Sequence, residues 1–204
     1  MLITMIFISL LMSKKIIKEV GEGESPSFSV KRNTSDSFFK MSDKDEYDYH
    51  FKTDEGYVYS VVLERFIGWG ATEEWEIEED IEEFKKIGGD AFKKLENYGV
   101  TLSDMSNIWG IAFSIKEYIN PKTGVIDQSL PIKKFYYTPS SGEFYKVMAT
   151  LSKIIKDHMK LVGGKVLVFL PQDARRGKVF THFILKQKPG IKYFEESNSL
   201  YFIF

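Results

Sequence analysis

Residues 138–204 read TPSSGEFYKVMATLSKIIKDHMKLVGGKVLVFLPQDARRGKVFTHFILKQKPGIKYFEESNSLYFIF, and this stretch decides the fold. Ser140-Ser141-Gly142-Glu143 has the S-x-x-E form of a capping box, in which the Ser140 hydroxyl meets a backbone amide of the first turn and Glu143 reaches back to the cap. Phe144, Val147, Met148, Leu151, Ile154 and Ile155 then fall on one helical face, which His158 continues. Gly163-Gly164 stops that helix. Lys165 to Leu170 is a short β-branched strand, and Pro171-Gln172-Asp173 leads into a second helix with Val179, Phe180, Phe183 and Ile184 inside. Pro189-Gly190 ends it, and Ile191 to Glu195 with Leu200 to Phe204 closes a hairpin around Ser197-Asn198-Ser199. An apolar strand flanked by two amphipathic helices is the signature of a layered α/β arrangement.

Working outward toward the N-terminus, Tyr47, Tyr49 and Phe51 alternate with Asp48, His50 and Lys52. Thr53-Asp54-Glu55-Gly56 supplies turn chemistry before the β-rich run Tyr57 to Phe66, so these two segments form a hairpin. An acidic run follows whose apolar residues Ile77, Ile81, Phe84 and Ile87 keep helical spacing. Gly88-Gly89 breaks it, and Asp90 caps a short helix carrying Phe92, Leu95 and Tyr98 before Gly99. Trp109 to Ile119 reads as a strand, Asn120-Pro121-Lys122-Thr123-Gly124 as a turn, and Ile132 to Thr138 as the next strand. The expected fold class is α/β (α+β), with a mixed, largely antiparallel twisted sheet flanked by helices. Residues 1–46 read as an extended arm and linker, and residues 47–204 as a single domain. Residues up to about Lys40 are expected to contribute little to the core, since their apolar positions keep no sustained period.

At 204 residues the chain suits one domain with a real core. Its 43% hydrophobic and 15% aromatic content is that of a globular protein rather than a disordered one. Cysteine is absent, which excludes disulfides, thiolate nucleophiles and cysteine-ligated metal sites. A net charge of −1 argues against a surface wholly devoted to nucleic acid, but the charge is uneven: Glu73 to Glu83 is acidic and Lys146 to Lys192 basic. The opening run MLITMIFISLLM is shorter than the roughly 20 residues of a spanning helix. It also lacks the flanks of a secretory signal, so secretion through a signal peptide is not expected.

Arg175, Arg176 and Lys178 stand in the first turns of the last helix, where cations oppose the helix dipole and need an offset. Asp173 or the acidic run at 73–83 is the structural offset. A bound phosphate, a nucleic acid or an acidic protein partner is the functional one. His50, His158 and His182 are isolated and not in metal-ligand spacing. His158 reads as a core residue, while His182 shares a helix with Arg175 and is a candidate general base. The sequence contains no G-x-S-x-G, H-E-x-x-H, Walker loop or paired Asp cluster, so metal-dependent hydrolysis and P-loop chemistry are not expected. The acidic run reads as a solvated helix face, with mimicry of a phosphate ladder as the sharper alternative. Lys133, Lys134, Tyr136 and Tyr137 come nearest to a stacking platform for single-stranded nucleic acid, which is not the favoured partner.

YHFKTDEGYVYSVVLE, followed by SGEFYKVMATLSKIIKDHM, KVLVFLP and ARRGKVFTHFILK, resembles in its order a group of small, uncharacterised tailed-bacteriophage proteins over roughly Tyr47 to Lys186. That group brings no established chemistry with it; the resemblance, together with the absence of a complete catalytic constellation, implies a phage-encoded, non-catalytic protein that binds a protein partner within the virion or in the host cytoplasm, and no cofactor is expected. The same order is similar to the C-terminal half of GNAT-type acyltransferases, which hold the pyrophosphate of an acyl-coenzyme A on amides at a helix start. By that likeness Ser141 and Gly142 would hold phosphate, Arg175 or Arg176 would assist, and acetyl-CoA would be the cofactor. The chain departs from that family's pattern twice. Its loop has one glycine and the carboxylate of Glu143, which competes with phosphate for helix-start amides, and Phe180 stands where the family often has a proton-donating tyrosine.

Overall fold

The structure, a computed structural model, describes residues 28–32, 46–68, 71, 73–127 and 141–204. Its chain order begins with three strands, β1 (Phe28–Arg32), β2 (Glu46–Lys52) and β3 (Tyr57–Arg65), followed by helices α1 (Glu74–Ile87), α2 (Asp90–Asn97) and α3 (Leu102–Met105). Strands β4 (Ile108–Ile119) and β5 (Ile126–Asp127) come next. The chain then runs through α4 (Ser141–Val162), β6 (Val166–Phe169), α5 (Ala174–Gln187), β7 (Lys192–Glu196) and β8 (Ser199–Ile203). The strands form one sheet in the order β1-β2-β3-β4-β6-β8-β7, with β5 paired to β4 off that path. Every pairing is antiparallel except β4 with β6. This is the mixed, largely antiparallel α+β sheet that the sequence implies.

Strand alternation creates two faces, and each has its own core. Tyr47, Tyr49 and Phe51 of β2, Tyr59, Val61 and Leu63 of β3, and Leu167 and Phe169 of β6 point to the layer of α4 and α5. Val166 and Val168 of β6, with Tyr201 and Phe194, point the other way, onto Phe84 of α1, Phe92 and Leu95 of α2 and Met105 of α3. The acidic helix α1 and the basic helix α5 therefore lie on opposite faces of the sheet. Within their shared layer, α4 and α5 meet where Phe144 and Tyr145 pack against Phe183, with ring centroids 5.5 and 5.9 Å apart.

The parallel pair is short. β4 runs twelve residues but shares only Ile108 to Ile111 with β6, while its pairing with β3 continues to Tyr118. The helix-crossed connection β4-α4-β6 supplies the crossover that a parallel pair requires.

Four local features differ from the sequence expectation. The arm expected at residues 1–46 contributes a strand, because Phe28 to Arg32 pairs along β2 from Phe51 to Tyr47. Its five residues carry too little pattern to separate them from linker. Ile87 is 76% exposed, since α1 ends there and Gly88 turns the chain off the core. The cap of α2 is Gly89, at φ +49°, with Asp90 as the first helical residue. Tyr98 lies beyond the end of α2, half-exposed and stacked on Phe194. The strand expected at Ile132 to Thr138, with its Lys133, Lys134, Tyr136 and Tyr137, and the capping residue Ser140 lie outside the described residues.

Candidate functional site

The start of α4 meets the β2–β3 turn, and local chemistry fixes that turn. The backbone amide of Thr53 donates to the carbonyl of Tyr57 at 2.9 Å, and the Thr53 hydroxyl accepts from the Tyr57 amide at 3.2 Å. Gly56 takes φ +92°, open to glycine, and a Cβ there would stand 2.2 Å from the carbonyl oxygen of Ile119. Against this turn the carboxylate of Glu143, 5% exposed, accepts the backbone N–H of Glu55 at 2.8 Å. Lys146, one turn later, pairs its ammonium with Asp54. That bond, more than the neighbouring charges, raises the Lys146 pKa.

The corner thus gathers the carboxylates of Asp54 and Glu143 near one ammonium. Burial raises the Tyr59 phenol well above its ordinary range, and the Glu143 carboxylate adds to the rise. Tyr59 is therefore neutral at physiological pH. A helix start attracts anions through its free amides, but a buried carboxylate in the first turn already satisfies part of that attraction and repels a second negative group. Ser141 and Gly142 are the first two residues of α4 and stand beside it.

At the start of α5, Asp173 is the N-cap and its carboxylate accepts the backbone N–H of Arg176 at 2.8 Å. The Arg176 guanidinium lies 3.4 Å from the other carboxylate oxygen and also donates to the side-chain oxygen of Gln172. The cation thus finds its offset locally, in Asp173, and not in α1, which lies across the sheet. Arg175 occupies the first turn, and Lys178 is exposed. The contact of α4 with α5 falls at Phe183, about two turns along from Arg176. Phe180 is fully buried and stacks on Phe169 at 4.2 Å, so it is a core residue with no proton to give.

His158 is buried at 0% exposure among Tyr47, Tyr49 and Trp109. Its Nδ1 lies 2.9 Å from the Tyr49 hydroxyl, and its Nε2 has no hydrogen-bond partner among the described residues. With Nε2 protonated, Tyr49 donates to Nδ1, and the imidazole and the Trp109 indole pack at a steep angle with centroids 4.5 Å apart. Burial lowers its pKa to about 4. It is the core histidine that its helix face implies. His182 is exposed, edge-on to Phe183.

One polar arrangement is not evident from the sequence alone. On the sheet face opposite α4, the Asp48 carboxylate accepts the Ser60 hydroxyl at 2.6 Å and pairs with His50 Nε2 at 2.7 Å. Register brings it about, because Ser60 lies directly across from His50. Alternation along β2 puts Asp48 and His50 on one side, but the pairing partner on β3 is set by the turn. The serine bonds the carboxylate rather than the imidazole, so the order of groups is that of a structural clasp, not of a nucleophile activated by a base.

Among the described residues no group of three or more His, Asp or Glu side chains is placed to hold a metal ion, and no helix is long and apolar enough to cross a membrane. No family model matches the chain, and no curated protein or solved structure shows significant similarity to it.

Proposed function

We propose that this chain is a non-catalytic α/β protein that acts by binding, encoded by a bacteriophage and working within the particle or against a host component. The observation that carries the non-catalytic reading is the buried Glu143 carboxylate in the first turn of α4, fixed there by the Glu55 amide, a negative group beside the helix-start amides that an acyltransferase would use for pyrophosphate. Two further features agree with it. Phe180 is locked in the core, and the Arg176 guanidinium is engaged by Asp173 and Gln172. The phage source rests on the segment order quoted above, and a protein partner is the expectation that comes with it.

The competing reading is a divergent GNAT-type acyltransferase using acetyl-CoA. It is favoured by one observation, the parallel pair β4 and β6 joined through α4, with β8 set between β6 and β7. A fold survives the loss of a site, so this topology supports ancestry more than activity. Release of free thiol from acetyl-CoA, followed with a panel of amine acceptors, tests the choice. The binding reading expects no release above the protein-free rate. Saturable release that depends on acceptor identity would replace it with the acyltransferase.

A further inference from the structure

The helical layer of α4 and α5 carries a charge pattern that core packing does not use and of which the Glu143 corner takes only Lys146. Between Ser141 and Lys188 the chain has ten lysines and arginines against three carboxylates. Two of those three are engaged elsewhere, since Glu143 is buried against Glu55 and Asp173 caps α5. Asp157 is the carboxylate left on the exposed side of α4.

The cations are ordered. Lys146, Lys153, Lys156 and Lys160 are spaced by seven, three and four residues, which at about 100° per residue keeps them within an arc of about 80°. They form a stripe about 21 Å long at 1.5 Å per residue. Lys153, Lys156 and Lys160 are exposed, while Lys146 is half-buried and meets Asp54. On α5, Lys178, His182 and Lys186 are four residues apart and share a second arc of similar width. The two helices cover the same face of the sheet with their apolar sides, so both stripes face away from the sheet on the same side of the molecule.

Across the sheet the sign reverses. Glu73 to Glu83 holds eight carboxylates in eleven residues with no cation, on α1 and its cap. A chain of net charge −1 is therefore strongly polarised, and a polyanion approaching it is drawn to one face and repelled from the other.

We propose that the outer face of α4 and α5 docks the sugar–phosphate backbone of a nucleic acid, without reading its sequence. Lysines along a straight helix suit a line of phosphates, each neutralised cation by cation with release of counterions. An anionic membrane is disfavoured by the same face, because surface-bound helices bury an apolar side between their lysines. Here the buried side of α4 already faces the sheet, and Leu161 at its end is its one large exposed apolar residue. This inference concerns a surface that meets the Glu143 corner only at Lys146, and it goes beyond the reading given above.

The test is fluorescence anisotropy of a labelled mixed-sequence DNA duplex and its single strand with the full chain, at salt from about 50 to about 200 mM. Affinity should fall steeply with salt. The variant K153Q/K156Q/K160Q should bind more weakly and lower the slope of log affinity against log salt by about 3, near 0.9 for each phosphate no longer neutralised. Its melting temperature should stay within a few degrees of the parent's, because interactions of exposed lysines contribute little to stability. The α1 variant E78Q/E79Q/E82Q should bind no more weakly than the parent. No anisotropy change at the lowest salt, an unchanged slope in the lysine variant, or capture only by phosphatidylserine vesicles would each overturn the proposal. Failure of the binding reading is seen separately, as thiol release from acetyl-CoA.

Discussion

The Glu143 carboxylate in the first turn of α4 accepts the backbone N–H of Glu55, 88 positions away in sequence, at 2.8 Å. With the Lys146–Asp54 pair, this bond ties α4 to the β2–β3 turn, and it places a negative charge at the helix start. It predicts an asymmetry between two substitutions. Glu143→Ala leaves the Glu55 amide without its acceptor and should cost about 1–3 kcal/mol, a loss of several degrees in Tm. Glu143→Gln keeps an acceptor oxygen and should cost clearly less. Equal melting temperatures for both variants and the parent would show that the bond contributes nothing.

His158 gives the chain a pH dependence whose sign is fixed by burial. In the fold its pKa is lowered to about 4, against 6.5 for the free side chain, so the unfolded chain binds more protons between those values. Stability is full above about pH 6.5, falls as pH drops toward 4, and levels off below that as far as this group is concerned. The total effect is on the order of 3 kcal/mol. Melting followed from neutral to acid pH should show this loss in the parent, and His158→Phe should flatten that part of the profile. An unchanged profile would mean that another group sets it.

At the start of α5 the cap should outweigh the ion pair. Asp173→Ala removes the acceptor of the Arg176 amide and should cost about 1 kcal/mol. Changing Arg175 and Arg176 to glutamine removes two cations from a helix start and an exposed pair with Asp173, effects that oppose each other, so stability should stay within about 0.5 kcal/mol. A double variant that melts many degrees lower would make the arginines part of the scaffold's stability. A clear rise would mark them as held for a ligand.

Gly56 and Gly124 both take positive φ, but only Gly56 is crowded. Gly124→Ala, with nothing within 4 Å of its new Cβ, should cost about 1 kcal/mol for backbone strain alone. Gly56→Ala must also displace the carbonyl of Ile119 and should cost at least twice as much. Chemical denaturation of the two variants side by side checks the ordering.

Much of the fold could be read from local pattern, because period and punctuation decide it. The buried face of α4, the strand Val166–Phe169, the inner face of α5 and the hairpin turn at Ser197 and Asn198 all sit where apolar spacing and turn residues put them. What sequence could not give was set by contacts between distant segments. β1 is too short to announce itself, the Asp48–Ser60 bond depends on hairpin register, and Glu143 finds Glu55 only after the helix has docked. The offset for Arg176 was legible, since Asp173 stands at N-cap spacing three residues before it. Which face the acidic helix would cover was not, because that is decided by the crossing of the chain between β3 and β4.

The most direct test of the central claim is a calorimetric titration of the intact chain with coenzyme A up to millimolar concentration. The account predicts no saturable heat, because the buried Glu143 carboxylate in the first turn of α4 repels a second anion at that helix start. Saturable heat with one site per chain, matched by a rise in stability of roughly 2.7 kcal/mol at about 100 times the dissociation constant, would contradict it.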